Sequence, residues 1–148
     1  MQLIGVVFMQ DKIAYLQMIE GVIDRMGHNS FQLKGWAVTL MTIVGALSLV
    51  KNGNIAIMVM GVIPLVVFWI LDSYYLQLER KYRILYEHVR NEDDHIKNFD
   101  MGVNNLLYTE AEHKKACFCG CVFSKTEVLF YLIIIVAFIF VMALMHGV

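Results

Sequence analysis

Three stretches of the chain are apolar for about the length of a bilayer crossing, and the polar positions collect between them. Residues 31–50, FQLKGWAVTLMTIVGALSLV, make the first. Residues 55–71, IAIMVMGVIPLVVFWIL, make the second, and residues 128–145, VLFYLIIIVAFIFVMALM, hold no charge at all. A helix of about 20 apolar residues crosses a bilayer, so the pattern predicts three spans. Lys51, Asn52, Gly53 and Asn54 form a polar turn that makes the first two a hairpin.

The second span does not stop at its polar edge. It runs on into DSYYLQLERKYRILYEHVR, with no glycine or further proline from Pro64 to Arg90 to end a helix. Beyond the membrane the apolar positions are Leu71, Tyr75, Leu78, Tyr82, Leu85 and Val89, whose alternating spacing of four and three is a heptad seam. Such a seam calls for a partner helix or for copies of itself. Upstream, Ile13, Leu16, Ile19, Ile23 and Met26 recur at helical spacing, while Asp11, Lys12, Glu20, Asp24 and Arg25 interrupt the apolar run. This predicts an amphipathic helix on the membrane surface or packed on the seam. It should end at Gly27, His28, Asn29 and Ser30, with Asn29 or Ser30 capping the next helix. No cleavable signal peptide is expected, because a charged leader region is missing.

Composition agrees with a membrane protein. Of 148 residues, 59% are hydrophobic, and the mean hydropathy of +0.61 exceeds that of ordinary soluble domains. The net charge of -1 is uninformative, but its distribution is not. Arg80, Lys81, Arg83, Arg90, Lys97, Lys114, Lys115 and Lys125 all lie between the second and third spans, against Lys51 alone in the hairpin turn. The positive-inside rule then places the N-terminus and the central segment in the cytoplasm and the C-terminus outside. The expected fold is an all-α integral membrane protein. It comprises an amphipathic N-terminal helix (1–29), a transmembrane hairpin (30–75) whose second span extends into a long cytoplasmic helix, a cytoplasmic helical region (76–125) and a third transmembrane helix (126–148). Within it, Ser124, Lys125, Thr126 and Glu127 read as a capping box for the third span.

Candidate chemistry is sparse. Gly35, Thr39, Thr42 and Ala46 form a small-residue stripe, which suits either close helix packing or a pore axis offering hydroxyls. Pro64 is a candidate hinge. Lys34 and Asp72 belong at the same membrane face, and a charge at that depth favours a partner. Together Lys34, Pro64 and Asp72 are candidates for gating and coupling. Arg80, Lys81, Arg83 and Arg90 could meet an anionic ligand, or merely set topology and pair with Glu79 and Glu87. His113, Cys117, Cys119 and Cys121 could supply metal ligands, but the two-residue spacer usual between zinc cysteines is absent. Glu92, Asp93, Asp94 and His95 read as a solvated loop. No enzyme signature occurs: there is no nucleophile beside a base and no phosphate loop. No cofactor is expected, and no nucleic acid duplex as partner.

The chain also resembles a known family. Arg25, Met26, Asn29, Ser30, Phe31, Lys34, Gly35, Trp36 and Thr39, followed by Trp69, Asp72, Tyr74, Tyr75, Leu76, Glu79, Arg80, Tyr82, Arg83 and Tyr86, look like the RipA-type family of small bacterial inner-membrane proteins. The likeness covers about the first ninety residues and implies an oligomeric, even octameric, ring. Small multi-span effectors of bacterial anti-phage systems, opened or relieved by a nucleotide-type signal, are similar in a looser sense. Three spans cannot enclose a pathway alone, so a ring of identical subunits, four to eight copies, is expected in the inner membrane. The expected function is a homo-oligomeric channel or membrane-disrupting effector gated through its cytoplasmic helices. A cytoplasmic signalling nucleotide or partner protein could act on them. The alternative is a non-conducting scaffold that recruits a cytoplasmic protein.

Overall fold

Nothing in the first fifty residues forces a break. No proline occurs there, and an interior glycine costs a helix only about 1 kcal/mol. In the computed structural model, which describes residues 2–50, 55–91, 99–104 and 108–146, this stretch is one helix, α1 (Gln2–Val50), about 74 Å long at ~1.5 Å per residue. The expected stop at Gly27, His28, Asn29 and Ser30 is therefore corrected. Ser30 does not cap a new helix, because its hydroxyl bonds the Asp72 carboxylate. Gly27 faces Glu79 on the neighbouring helix, where continued packing outweighs its poor propensity.

The second helix, α2 (Ile55–Arg90), runs without interruption through Pro64 and lies along α1. Two short helices, α3 (Glu110–Lys115) and α4 (Phe118–Val122), lead into α5 (Lys125–His146). All secondary structure among the described residues is helical, as expected. One helix there is long and apolar enough to cross a membrane, over the stretch Met60–Arg90 of α2. The turn at Lys51, Asn52, Gly53 and Asn54, the acidic run Glu92, Asp93, Asp94 and His95, and Ile96, Lys97, Leu106 and Leu107 lie outside the described residues.

Two apolar clusters hold the hairpin. At one end Tyr15 and Ile19 of α1 pack on Leu85 and Val89 of α2, with Val103 closing the cluster. Tyr82 joins its edge, so the far half of the heptad seam is filled by the chain's own α1. Leu71, at the seam's near end, is exposed instead. The N-terminal part of α1 thus lies on protein: Ile19 is buried and Leu16 and Ile23 are partly covered, while Ile13 faces outward. Lys12 Nζ donates to the Arg90 carbonyl at 3.1 Å, placing a cation at the C-terminal end of α2, where the helix dipole favours it. At the other end Ala37, Met41, Leu65 and Tyr131 join α1, α2 and α5.

The two helices α1 and α2 approach closely at Gly61. A Cβ there would stand 2.7 Å from Val44 Cγ1, and valine has little rotamer freedom in a helix to yield. Gly61→Ala should therefore destabilise the hairpin by about 1–3 kcal/mol in thermal unfolding, and the double variant Gly61→Ala, Val44→Ala should lose less than the two singles combined. Gly21→Ala, whose added carbon meets nothing within 4 Å, should be neutral or stabilising.

Candidate functional site: a buried charge junction

Ser30 and Lys34 are four residues apart and share one face of α1. Glu127 and Tyr131 stand in the same relation at the start of α5. Between these faces lies Asp72 of α2, fully buried, with Glu127 3% exposed. Lys34 Nζ reaches Asp72 Oδ2 at 2.5 Å, Glu127 Oε1 at 2.9 Å and Ser30 Oγ at 3.1 Å, so all three ammonium donors are used. Ser30 Oγ donates to Asp72 Oδ1 at 2.5 Å, and the Tyr131 hydroxyl donates to Asp72 Oδ2 at 3.2 Å. The Phe130 ring lies 5.8 Å from Nζ, within cation–π range. Five side chains from three helices thus meet at one cation.

The pairing of Lys34 with Asp72, suggested by their positions at one membrane face, is present. Glu127 was missed as its third member. Its sequence context suggested a capping box, but the carboxylate turns to Lys34 instead. Ser124 Oγ accepts from Arg80 at 3.1 Å and lies 3.3 Å from Thr126 Oγ1. A capping box does form earlier, at Thr109 and Glu112, and the Thr-x-x-Glu spacing there could have revealed it.

A second set of contacts ties the connector to α2. Trp69 Nε1 donates to the Val122 carbonyl at 3.2 Å, and Gln77 Nε2 to Ala116 O at 2.9 Å. Arg80 donates to Lys115 O at 2.9 Å and Gly120 O at 3.4 Å, and His88 meets Glu112 at 3.0 Å. Their spacing of eight, three and eight keeps these four residues on one face of α2. Arg80 is therefore committed to main-chain carbonyls. Arg83 pairs with Glu79 at 2.9 Å and Arg90 with Glu87 at 2.6 Å, along the same helix. This arrangement matches the helix-surface role of these cations more closely than an anion site.

Gly35, Thr39, Thr42 and Ala46 all lie on the exposed face of α1. The Thr39 and Thr42 hydroxyls donate to carbonyls one turn back, those of Gly35 and Val38, at 2.9 and 2.8 Å. Thr42 and Ala46 also border an apolar groove of about 430 Å³ between α1 and α5, floored by Met41 and Phe138. Cys119 is exposed, Cys117 half-buried and Cys121 buried, and all three are free thiols. Burial pushes the Cys121 thiol upward, a shift that nearby Arg80 partly offsets. Among the described residues no group of three histidine, cysteine or acidic side chains is placed to hold a metal, so His113, Cys117, Cys119 and Cys121 are not gathered into a ligand set. Comparison with protein-family models, curated proteins and solved structures finds no match to this chain.

Lys34→Met leaves two buried carboxylates without a cation and should cost about 3–5 kcal/mol in thermal unfolding. The triple variant Lys34→Met, Asp72→Asn, Glu127→Gln removes the charge imbalance and should recover most of that loss. A second expectation concerns pH. Hydrogen bonds from the Thr109 side chain and backbone, aided by His88, hold the Glu112 carboxyl down to about 2. A depressed carboxylate stabilises the fold above its unfolded value and loses that effect as pH falls through the folded one. Amide protection of α3 should therefore decline between about pH 4.5 and about pH 2, and Thr109→Ala should weaken it already at neutral pH.

Proposed function

We propose that this chain is a subunit of a homo-oligomeric bacterial inner-membrane channel or membrane-disrupting effector, gated through its cytoplasmic helices. The observation that carries the reading is the level of the charge junction. On one side of it lie the charged residues of the chain, Lys51 apart. On the other, α1, α2 and α5 all expose large apolar side chains, among them Ile43, Ile63 and Val136. Each of these three is nine residues along its helix from Lys34, Asp72 or Glu127. At ~1.5 Å per residue that is about 13.5 Å, close to half the ~30 Å hydrocarbon thickness. Three spans entering the bilayer at the junction explain this common distance. They place the N-terminus and the polar layer in the cytoplasm and the C-terminus outside.

Oligomerisation follows from what the chain leaves uncovered. The Gly35, Thr39, Thr42 and Ala46 stripe is exposed on α1, with Thr42 and Ala46 at the edge of the groove toward α5. Small residues with an open face suit either a neighbouring subunit or an axis between subunits. The resemblance to the RipA-type family favours a closed ring of four to eight copies, and that to anti-phage effectors suggests a cytoplasmic signal as the trigger. Pro64 and the Lys34 and Asp72 pair are the elements through which movement of the cytoplasmic layer would reach the spans.

One observation favours the non-conducting scaffold: the stripe hydroxyls are already bonded to their own helix. Thr39→Trp separates the readings, because Thr39 is exposed and a bulky side chain there leaves the fold intact. In liposomes holding the wild-type assembly, triggered ion flux is expected, and Thr39→Trp should abolish it while native mass stays the same. Flux unchanged by Thr39→Trp would overturn the pore assignment; background conductance from both proteins would favour the scaffold.

A further inference from the structure

The junction contains one cation and two buried carboxylates, and their hydrogen bonds are unequal. Asp72 accepts three donors: Ser30 on Oδ1, and Lys34 and Tyr131 on Oδ2. Glu127 accepts one, from Lys34 on Oε1. Its other oxygen, Oε2, is buried with no partner among the described residues. A buried ionised carboxylate is stabilised by donors and a counter-charge, and a carboxylate without them holds its proton. Lys34 can balance one negative charge, and Asp72 has the better claim to it.

We propose that the junction is a proton-binding site, with the proton carried on Oε2 of Glu127 while Asp72 is ionised against Lys34. The proton makes the cluster electrically neutral and holds α5 on the α1–α2 hairpin. Its loss leaves a second buried negative charge facing Asp72 and loosens α5. The groups that face Glu127 are Lys34 from α1, Asp72 from α2, Tyr131 on α5 itself and Cys121 from α4. Arg80 stands farther out, bonded to Ser124 just before α5. Lys34 alone among the residues in contact with Glu127 is cationic, and it is shared with Asp72. The proposal rests on this geometry and not on conduction, so it stands or falls separately from the channel reading.

Infrared spectroscopy of the full chain in nanodiscs tests it. A protonated-carboxyl C=O band is expected at neutral pH. It should shift when glutamate is labelled with carboxyl-¹³C, stay put when aspartate is so labelled, vanish in Glu127→Gln and weaken in Asp72→Asn, which leaves Lys34 to balance Glu127 alone. The isotope labels need no variant to fold. As the pH is raised the band should fade. Thermal stability should fall with it, because the unfolded chain has already released the proton that the native state keeps. Glu127→Gln should show no such decline. In a Trp36→Phe background, Trp69, stacked on Tyr131 at 5.8 Å and bonded to Val122, should change emission over the same range. No carboxyl band at neutral pH would overturn the proposal, and so would a band that follows the aspartate label.

Discussion

The structure depends on one ammonium group. Among the described residues Lys34 is the only point at which α1, α2 and α5 are joined by charge, and it has no donor left over. The two carboxylates it meets come from segments far apart in sequence, 38 and 93 residues away. Apolar packing alone would let helices of this composition slide or rotate, since one leucine face resembles another. A buried ion cluster does not slide. It fixes the register of the three helices at one level, at the cost of desolvating the charges. Trp69 and Tyr131 stack beside it, so the aromatic layer depends on the same alignment.

From that level α2 acts as a spine with two working faces. One face meets α1 through Leu85 and Val89, and the seam continues at Tyr82. The other, marked by Trp69, Gln77, Arg80 and His88, binds the backbone and side chains of the connector that delivers α5 to the junction. Arg80 suits this role because its planar fork offers several donors in fixed directions, as an ammonium does not. The position of Glu127 is thus held twice: by Lys34 directly, and by the connector docked on α2. A movement of the connector would act on α5 through this second attachment.

Much of this was legible in the sequence. The apolar blocks, the long second helix and the heptad seam follow from periodicity, which is a local property. The match of Lys34 with Asp72 followed from hairpin geometry. What failed were places where a local signal met a tertiary one. Gly27 to Ser30 looks like a stop, yet the packing of α1 on α2 carries the helix through it, and Ser30 is claimed by Asp72. Ser124 to Glu127 looks like a capping box, yet Lys34 offers Glu127 a stronger partner. Periodicity leaves the N-terminal segment either on the membrane surface or on the seam, and the packing of Tyr15 and Ile19 on Leu85 and Val89 decides for the seam. The small-residue stripe is visible in the sequence, but whether a hydroxyl there faces water or its own helix is decided only in three dimensions.

If the three helices cross a bilayer as proposed, they enter it together at the charge junction. Spin labels at Ile43, Ile63 and Val136, all exposed on the fold, test it most directly when the protein is placed in nanodiscs. Their accessibility to oxygen relative to a water-soluble relaxant gives the depth of each. The account expects the same depth for all three, near the bilayer midplane, with labels at Trp36, Ile70 and Leu129 close to the boundary. If Ile43 or Val136 were accessible to the water-soluble agent while Ile63 was not, α2 alone would cross the membrane and the common entry level would be wrong.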